Sequence, residues 1–145
     1  KGEFGILYAA RRFETALIET VHHHGLFMAR TAEPPGWTSQ FRALSLTIAA
    51  TLHDLRTIGA AAAEALRPDD YRAAQNLGAM LRAQGSDVLV YPSVRDPHGE
   101  CAALLFPHLA HDGIRSRHLK YHWDGQRVDL YRDAGTGEVF RIIPD

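Results

Sequence analysis

Residues 4–24, FGILYAARRFETALIETVHHH, decide how the chain is read. Residues 4–10 form an apolar run of strand length, and residues 13–25 then carry apolar side chains at helical spacing. Ala16, Leu17 and Val21 supply a core stripe for that helix, and Gly25 is its expected C-cap. Tyr8 falls on the strand and Glu19 in mid-helix, eleven positions later. A strand and the helix after it can face each other across one cleft. A glutamate on the inner side of a helix is costly to bury unless something uses its charge.

Working outward, residues 32–40 hold Pro34, Pro35, Gly36 and Ser39 and read as a loop anchored by Trp37. From 41 to 55 the pattern alternates. Leu44, Leu46, Ile48, Ala50 and Leu52 share one face, which predicts one long strand with that face buried. An alanine-rich piece at 59–66 reads as a short helix stopped by Pro68. Asp69 and Asp70 are N-caps for a helix to about Ala83, with Tyr71, Ala74, Leu77, Gly78 and Leu81 inward and Gly85 as its cap. Residues 88–91 and 102–106 are short buried strands paired like a hairpin across the loop 92–99. Residues 118–123 and 127–131, joined at Asp124-Gly125, form a further hairpin, and 138–143 adds a last strand. Strand, helix, strand, helix and then several strands argue for a mixed α+β or α/β sheet domain and against a bundle or a doubly wound dinucleotide fold; the expected class is α+β, with a mixed, mainly antiparallel sheet and a few helices.

The 145 residues are expected to form a single domain, 1–145. The first residue is Lys1 and strand character begins almost at once, so N-terminal residues are expected upstream. The net charge of −1 gives no general attraction to nucleic acid or to an anionic membrane. Cys101 is the lone cysteine and cannot bridge internally, which points to a reducing, cytoplasmic compartment and to a core thiol. No apolar run reaches transmembrane length. GxGxxG and P-loop patterns are absent, so neither a nicotinamide oxidoreductase nor an NTPase is supported. His22, His23 and His24 point about 100° apart on a helix and cannot chelate one ion together, so no metal site is expected.

Three candidates carry chemistry. Glu19 is either a solvated helix carboxylate beside His22 and His23, or an acid that holds a sugar hydroxyl and stabilises an oxocarbenium-like centre. Tyr8 is either a core tyrosine, or an aromatic face for a nucleobase or nicotinamide. Ser93 and Arg95, in YPSVR, either cap a turn or hold a phosphate at a strand end.

The order of these pieces carries more weight than any one of them. FGILYAA, ETALIETVHH, DLR, YRAAQNLG and GSDVLVYPSVRDPHGECAALLFP together resemble the RES-domain family over residues 4–107. On that resemblance the family glutamate is Glu19, its serine Ser93, the preceding tyrosine Tyr8, and a histidine one turn after the glutamate His23. The family arginine would lie upstream of Lys1. The resemblance implies an ADP-ribosyltransferase-like fold and the toxin of a bacterial toxin–antitoxin pair, with a Xre-type helix-turn-helix antitoxin as partner. NAD is then a substrate and not a redox cofactor, and ADP-ribose passes to phosphate, water or a protein. Catalysis would fall to Glu19, Tyr8 and Ser93, and NAD binding to Tyr8, Ser93, Arg95 and His23. Two rivals come from other classes. One is a non-catalytic protein-binding module; the other is a nuclease toxin using His22, His23 or His53, which the near-neutral charge disfavours.

Overall fold

Eight strands, β1 to β8, two α-helices, α1 and α2, and one turn of 3-10 helix at Pro107–Leu109 make up the regular structure among the described residues. The structure is a computed structural model and describes residues 5–57 and 71–144. The expected helix at 59–66 and its neighbours Asp69 and Asp70 lie outside the described residues, as does the side chain of Tyr71.

The strands form two four-stranded sheets. The first has the order β1-β5-β4-β3, with β1 at Leu7–Ala10, β3 at Leu52–Asp54, β4 at Val88–Pro92 and β5 at Glu100–Leu104. It belongs to a compact unit that runs to Ala16 and resumes over Thr47–His111. The second has the order β2-β6-β7-β8, with β2 at Thr38–Ile48, β6 at Ala110–Trp123, β7 at Val128–Asp133 and β8 at Val139–Arg141. It belongs to a unit made of Leu17–Leu46 and the chain from Asp112 onward.

The first sheet is mixed. β5 runs antiparallel to both β1 and β4, while β3 and β4 are parallel. A parallel pair needs a crossover, and α2, Tyr71–Ala83, stands between β3 and β4 in the chain. Leu81 of α2, with Leu77 beside it, packs into a core of Leu55, Leu89, Ala103 and Leu105. α2 ends as its sequence demands. Gly85 takes φ +88°, its N–H donates to the Arg82 carbonyl at 3.0 Å, and the Ser86 N–H donates to the Leu81 carbonyl at 2.9 Å. Those two bonds make a Schellman cap, which needs a left-handed residue that glycine adopts without strain. Ala74, expected inward, is exposed.

The expected hairpin of β4 and β5 is present, with Leu89 opposite Ala103 and Tyr91 opposite Cys101. Cys101 is buried and unbridged. The second expected hairpin is also present. β6 and β7 are antiparallel, Gly125 turns at φ +104°, and the Asp124 carboxylate accepts the N–H groups of Gln126 and Arg127 at 2.7 and 2.8 Å. Leu119, Tyr121, Trp123 and Val128 are its buried residues.

Several boundaries differ from the sequence reading. β1 starts at Leu7, and Phe4 lies outside the described residues. α1 is Phe13–Met28, so Gly25 does not cap it. Its carbonyl instead accepts the Ala29 N–H at 3.0 Å. The apolar Leu26, Phe27 and buried Met28 follow it, and burying Met28 outweighs the ~1 kcal/mol propensity cost of one glycine. The single strand expected at 41–55 is two strands in two sheets, β2 and β3. Leu44 is 57% exposed and Leu52 54% exposed, because the inside–outside alternation slips by one at Leu44-Ser45 and the strands part at 49–51. β2 also begins at Thr38, inside the expected loop. There the Gly36 N–H and Trp37 carbonyl pair with the Trp123 backbone, both at 2.8 Å, so Trp37 is held by its main chain and its indole is exposed. Finally, β6 begins eight residues before His118, the expected start.

Candidate functional site

Ser93, Arg95 and Asp96 belong to one turn at the end of β4. Pro92 closes the strand, having no N–H to continue the ladder. The Ser93 N–H donates to the Gly99 carbonyl, and the Gly99 N–H to the Asp96 carbonyl, both at 2.9 Å. The Ser93 Oγ accepts two backbone N–H groups, from Arg95 at 3.2 Å and Asp96 at 3.0 Å. Ser93 is 7% exposed and Asp96 8% exposed. One Asp96 carboxylate oxygen accepts the His98 N–H at 3.2 Å, and the other accepts the hydroxyl of Thr15 in α1 at 2.6 Å. Thr15 is fully buried. Its hydrogen bond is the main reason the Asp96 carboxyl lies below the usual carboxylate range; Arg12, at 3.9 Å, adds to it.

Gly99 closes this turn because nothing larger fits. A Cβ there would meet the Thr15 side chain at 2.6 Å and an Asp96 carboxylate oxygen at 2.7 Å. Both neighbours are buried and bonded to each other, so neither yields easily. Gly99→Ala is expected to destabilise the protein by about 1–3 kcal/mol in urea unfolding, the usual cost of overpacking. An unchanged midpoint would show that the turn relaxes.

Tyr8 lies on β1, opposite Ala103 of β5, and is 66% exposed. It is therefore not a core tyrosine.

At one end of the same sheet a chain of charges crosses the strands. Arg56 grips Asp54 with two parallel N–H···O bonds of 2.8 Å and reaches Glu100 at 2.7 Å, and Arg11 meets the other Glu100 oxygen at 3.0 Å. Arg56 holds the Asp54 carboxyl at a pKa of about 2, and Arg11 and then Arg56 lower that of Glu100. Depressed carboxylates stabilise the fold above their unfolded pKa and lose that contribution as pH falls through the folded value. Stability is thus expected to drop between about pH 4 and pH 2, and Asp54→Asn to flatten part of the drop. Urea midpoints measured from pH 5 to pH 2 check this; an identical slope in the variant would refute it.

In the second unit, Glu19 and His23 face each other one helical turn apart, Nε2 to Oε2 at 3.7 Å. The Glu19 side chain is largely buried and the His23 side chain half-exposed. α1 is held against the second sheet beside them. The Thr20 hydroxyl lies 3.0 Å from the Leu17 carbonyl, to which it can donate, and 2.7 Å from the Tyr121 hydroxyl, where either oxygen can be the donor. Tyr121 is buried, which raises its pKa. Its ring stacks on Phe41 at 4.3 Å, and His24 meets Phe41 edge-on at 4.9 Å. Burial lowers the His24 pKa. Sequence reasoning missed Thr20, Tyr121, Thr15 and Asp96. Thr20 and Tyr121 are 101 residues apart and Thr15 and Asp96 are 81 apart, and no spacing rule links them.

Two sheets, one mixed, with two helices define an α+β protein. The model of the RES domain family matches residues 1–124, most of the chain, and the chain belongs to that family. No curated protein matches it. The match covers the turn at Ser93, Glu19 and Tyr8, while β7 and β8 follow it in the chain. Among the described residues no helix is long and apolar enough to cross a membrane.

Proposed function

We propose that this protein consumes NAD by cleaving its nicotinamide–ribose bond, as the cytoplasmic toxin of a type II toxin–antitoxin pair. Membership of the RES domain family over residues 1–124 is the observation that carries the reading. The bond that breaks joins the ribose anomeric carbon to the nicotinamide nitrogen, which leaves with the bonding electrons as neutral nicotinamide. An oxygen of phosphate, water or a protein acceptor then bonds to that carbon, and any proton it carried is released to solvent.

In this reading Glu19 holds the nicotinamide ribose and its negative charge favours the oxocarbenium-like transition state. Tyr8 offers an aromatic face to the nicotinamide or the base; its 66% exposure supports that role. Ser93 and Arg95 hold a phosphate or ribose oxygen at the end of β4, and His23 sits next to Glu19. NAD is the substrate, so no separate cofactor is required. The regulatory partner is a Xre-type antitoxin.

The test uses the full-length protein freed of antitoxin. Incubated with NAD, it should release nicotinamide in proportion to enzyme and time, as followed by chromatography. NAD left intact by the folded protein would overturn the proposal. Cleavage of RNA without NAD loss would select the nuclease rival.

A further inference from the structure

We infer that Thr15 and Asp96 are positioning residues that set the Ser93 hydroxyl for the substrate. This rests on the NAD-consuming reading of Ser93, but the device itself is visible in the turn. Helix α1 asks only for a residue of suitable size and polarity at its third position. A fully buried hydroxyl there needs a partner, and Thr15 has one in the Asp96 carboxylate at 2.6 Å. Asp96 passes the constraint on, because its own N–H donates to the Ser93 Oγ at 3.0 Å. The Arg95 N–H supplies the second bond to the same oxygen at 3.2 Å. The Ser93 oxygen therefore sits where the Asp96 backbone puts it, and the Asp96 carboxylate is tied to α1. The bare Cα of Gly99 permits the approach, since any Cβ would strike both partners.

The hydroxyl of Thr15 is thus worth more than its volume. Valine has nearly the same shape and would fill the space without bonding Asp96. The turn would then lose its tether to the helix, and its two N–H bonds to the Ser93 oxygen would open more often. Misplacing a substrate-holding group by about 1 Å can cost ~10²-fold in rate.

The experiment compares Thr15→Val, Thr15→Ser and wild type as full-length protein freed of antitoxin. It reads kcat/KM for nicotinamide release, the melting temperature, and hydrogen exchange at the Arg95 and Asp96 amides. Thr15→Val should lower kcat/KM by roughly 10- to 100-fold and speed exchange at both amides, with a melting temperature lower by about a few degrees because the buried Asp96 carboxylate loses a partner. Thr15→Ser, which keeps the hydroxyl, should recover both readouts to within about 3-fold on the same argument. Wild-type activity in Thr15→Val, or a serine variant as slow as the valine one, would overturn the inference. If wild type releases no nicotinamide, the NAD reading fails alone, and the amides decide the tether: unchanged exchange in Thr15→Val refutes it. Should Thr15→Val fail to fold, Thr15→Ala, which also removes the hydroxyl that Asp96 accepts, receives the same measurements with the same expected losses.

Discussion

Replacing Glu19 with glutamine is expected to slow nicotinamide release from NAD by roughly 10²- to 10³-fold, the usual effect of removing one group that stabilises transition-state charge. Glutamine keeps the size of the side chain and can still hydrogen-bond a ribose hydroxyl. It lacks the negative charge that an oxocarbenium-like centre needs. Ground-state binding should survive better than turnover, so kcat should fall more than KM rises. The stability cost should be small. Glu19 meets His23 at 3.7 Å, and a partly exposed pair of this kind contributes about 0–1 kcal/mol. Steady-state kinetics alongside thermal melts decide the matter. A glutamine variant with wild-type kcat would remove Glu19 from the proposed chemistry, whereas a collapsed melting temperature would mark it as structural.

The largest stability loss is expected at Leu104→Ala. Leu104 is fully buried and lies on β5 between Leu7 of β1 and Val88 of β4. A cut to alanine loses the transfer energy of three heavy atoms and leaves a cavity, because the flanking strands are hydrogen-bonded in register and collapse little. Such changes cost ~2–5 kcal/mol. For a chain of this size about 3 kcal/mol corresponds to a drop in Tm of roughly 10 °C. The control is Ile143→Ala, since Ile143 is 83% exposed and a surface change there should stay within about 0.5 kcal/mol. Equal melting temperatures for the two variants would show that β5 is not the core strand its burial implies.

How much could be read before the fold was known depended on how local each signal was. α2 and its glycine cap were legible because a Schellman cap is written within six residues, Leu81 to Ser86. The turn at Asp124-Gly125 was legible for the same reason. Strand β6 was only half legible. Leu119, Tyr121 and Trp123 alternate with polar residues, but AHDGIRSR before them is almost wholly exposed and shows no buried period. Nor could the alternation over 41–55 say that its two ends join different sheets. Period two reports a face, not a partner.

The same divide runs through the candidate site. Glu19, Tyr8, Ser93 and Arg95 were named from residue type, order and a family resemblance, and family membership follows from residues 1–124. The exposure of Tyr8, the two N–H groups on the Ser93 oxygen, and the buried bond from Thr15 to Asp96 were decided only in three dimensions. Helix periods, turns and caps are interactions among neighbours in the chain, so the order of residues contains them. Burial, and a hydrogen bond spanning 81 residues, exist only once distant strands have paired and water has been excluded.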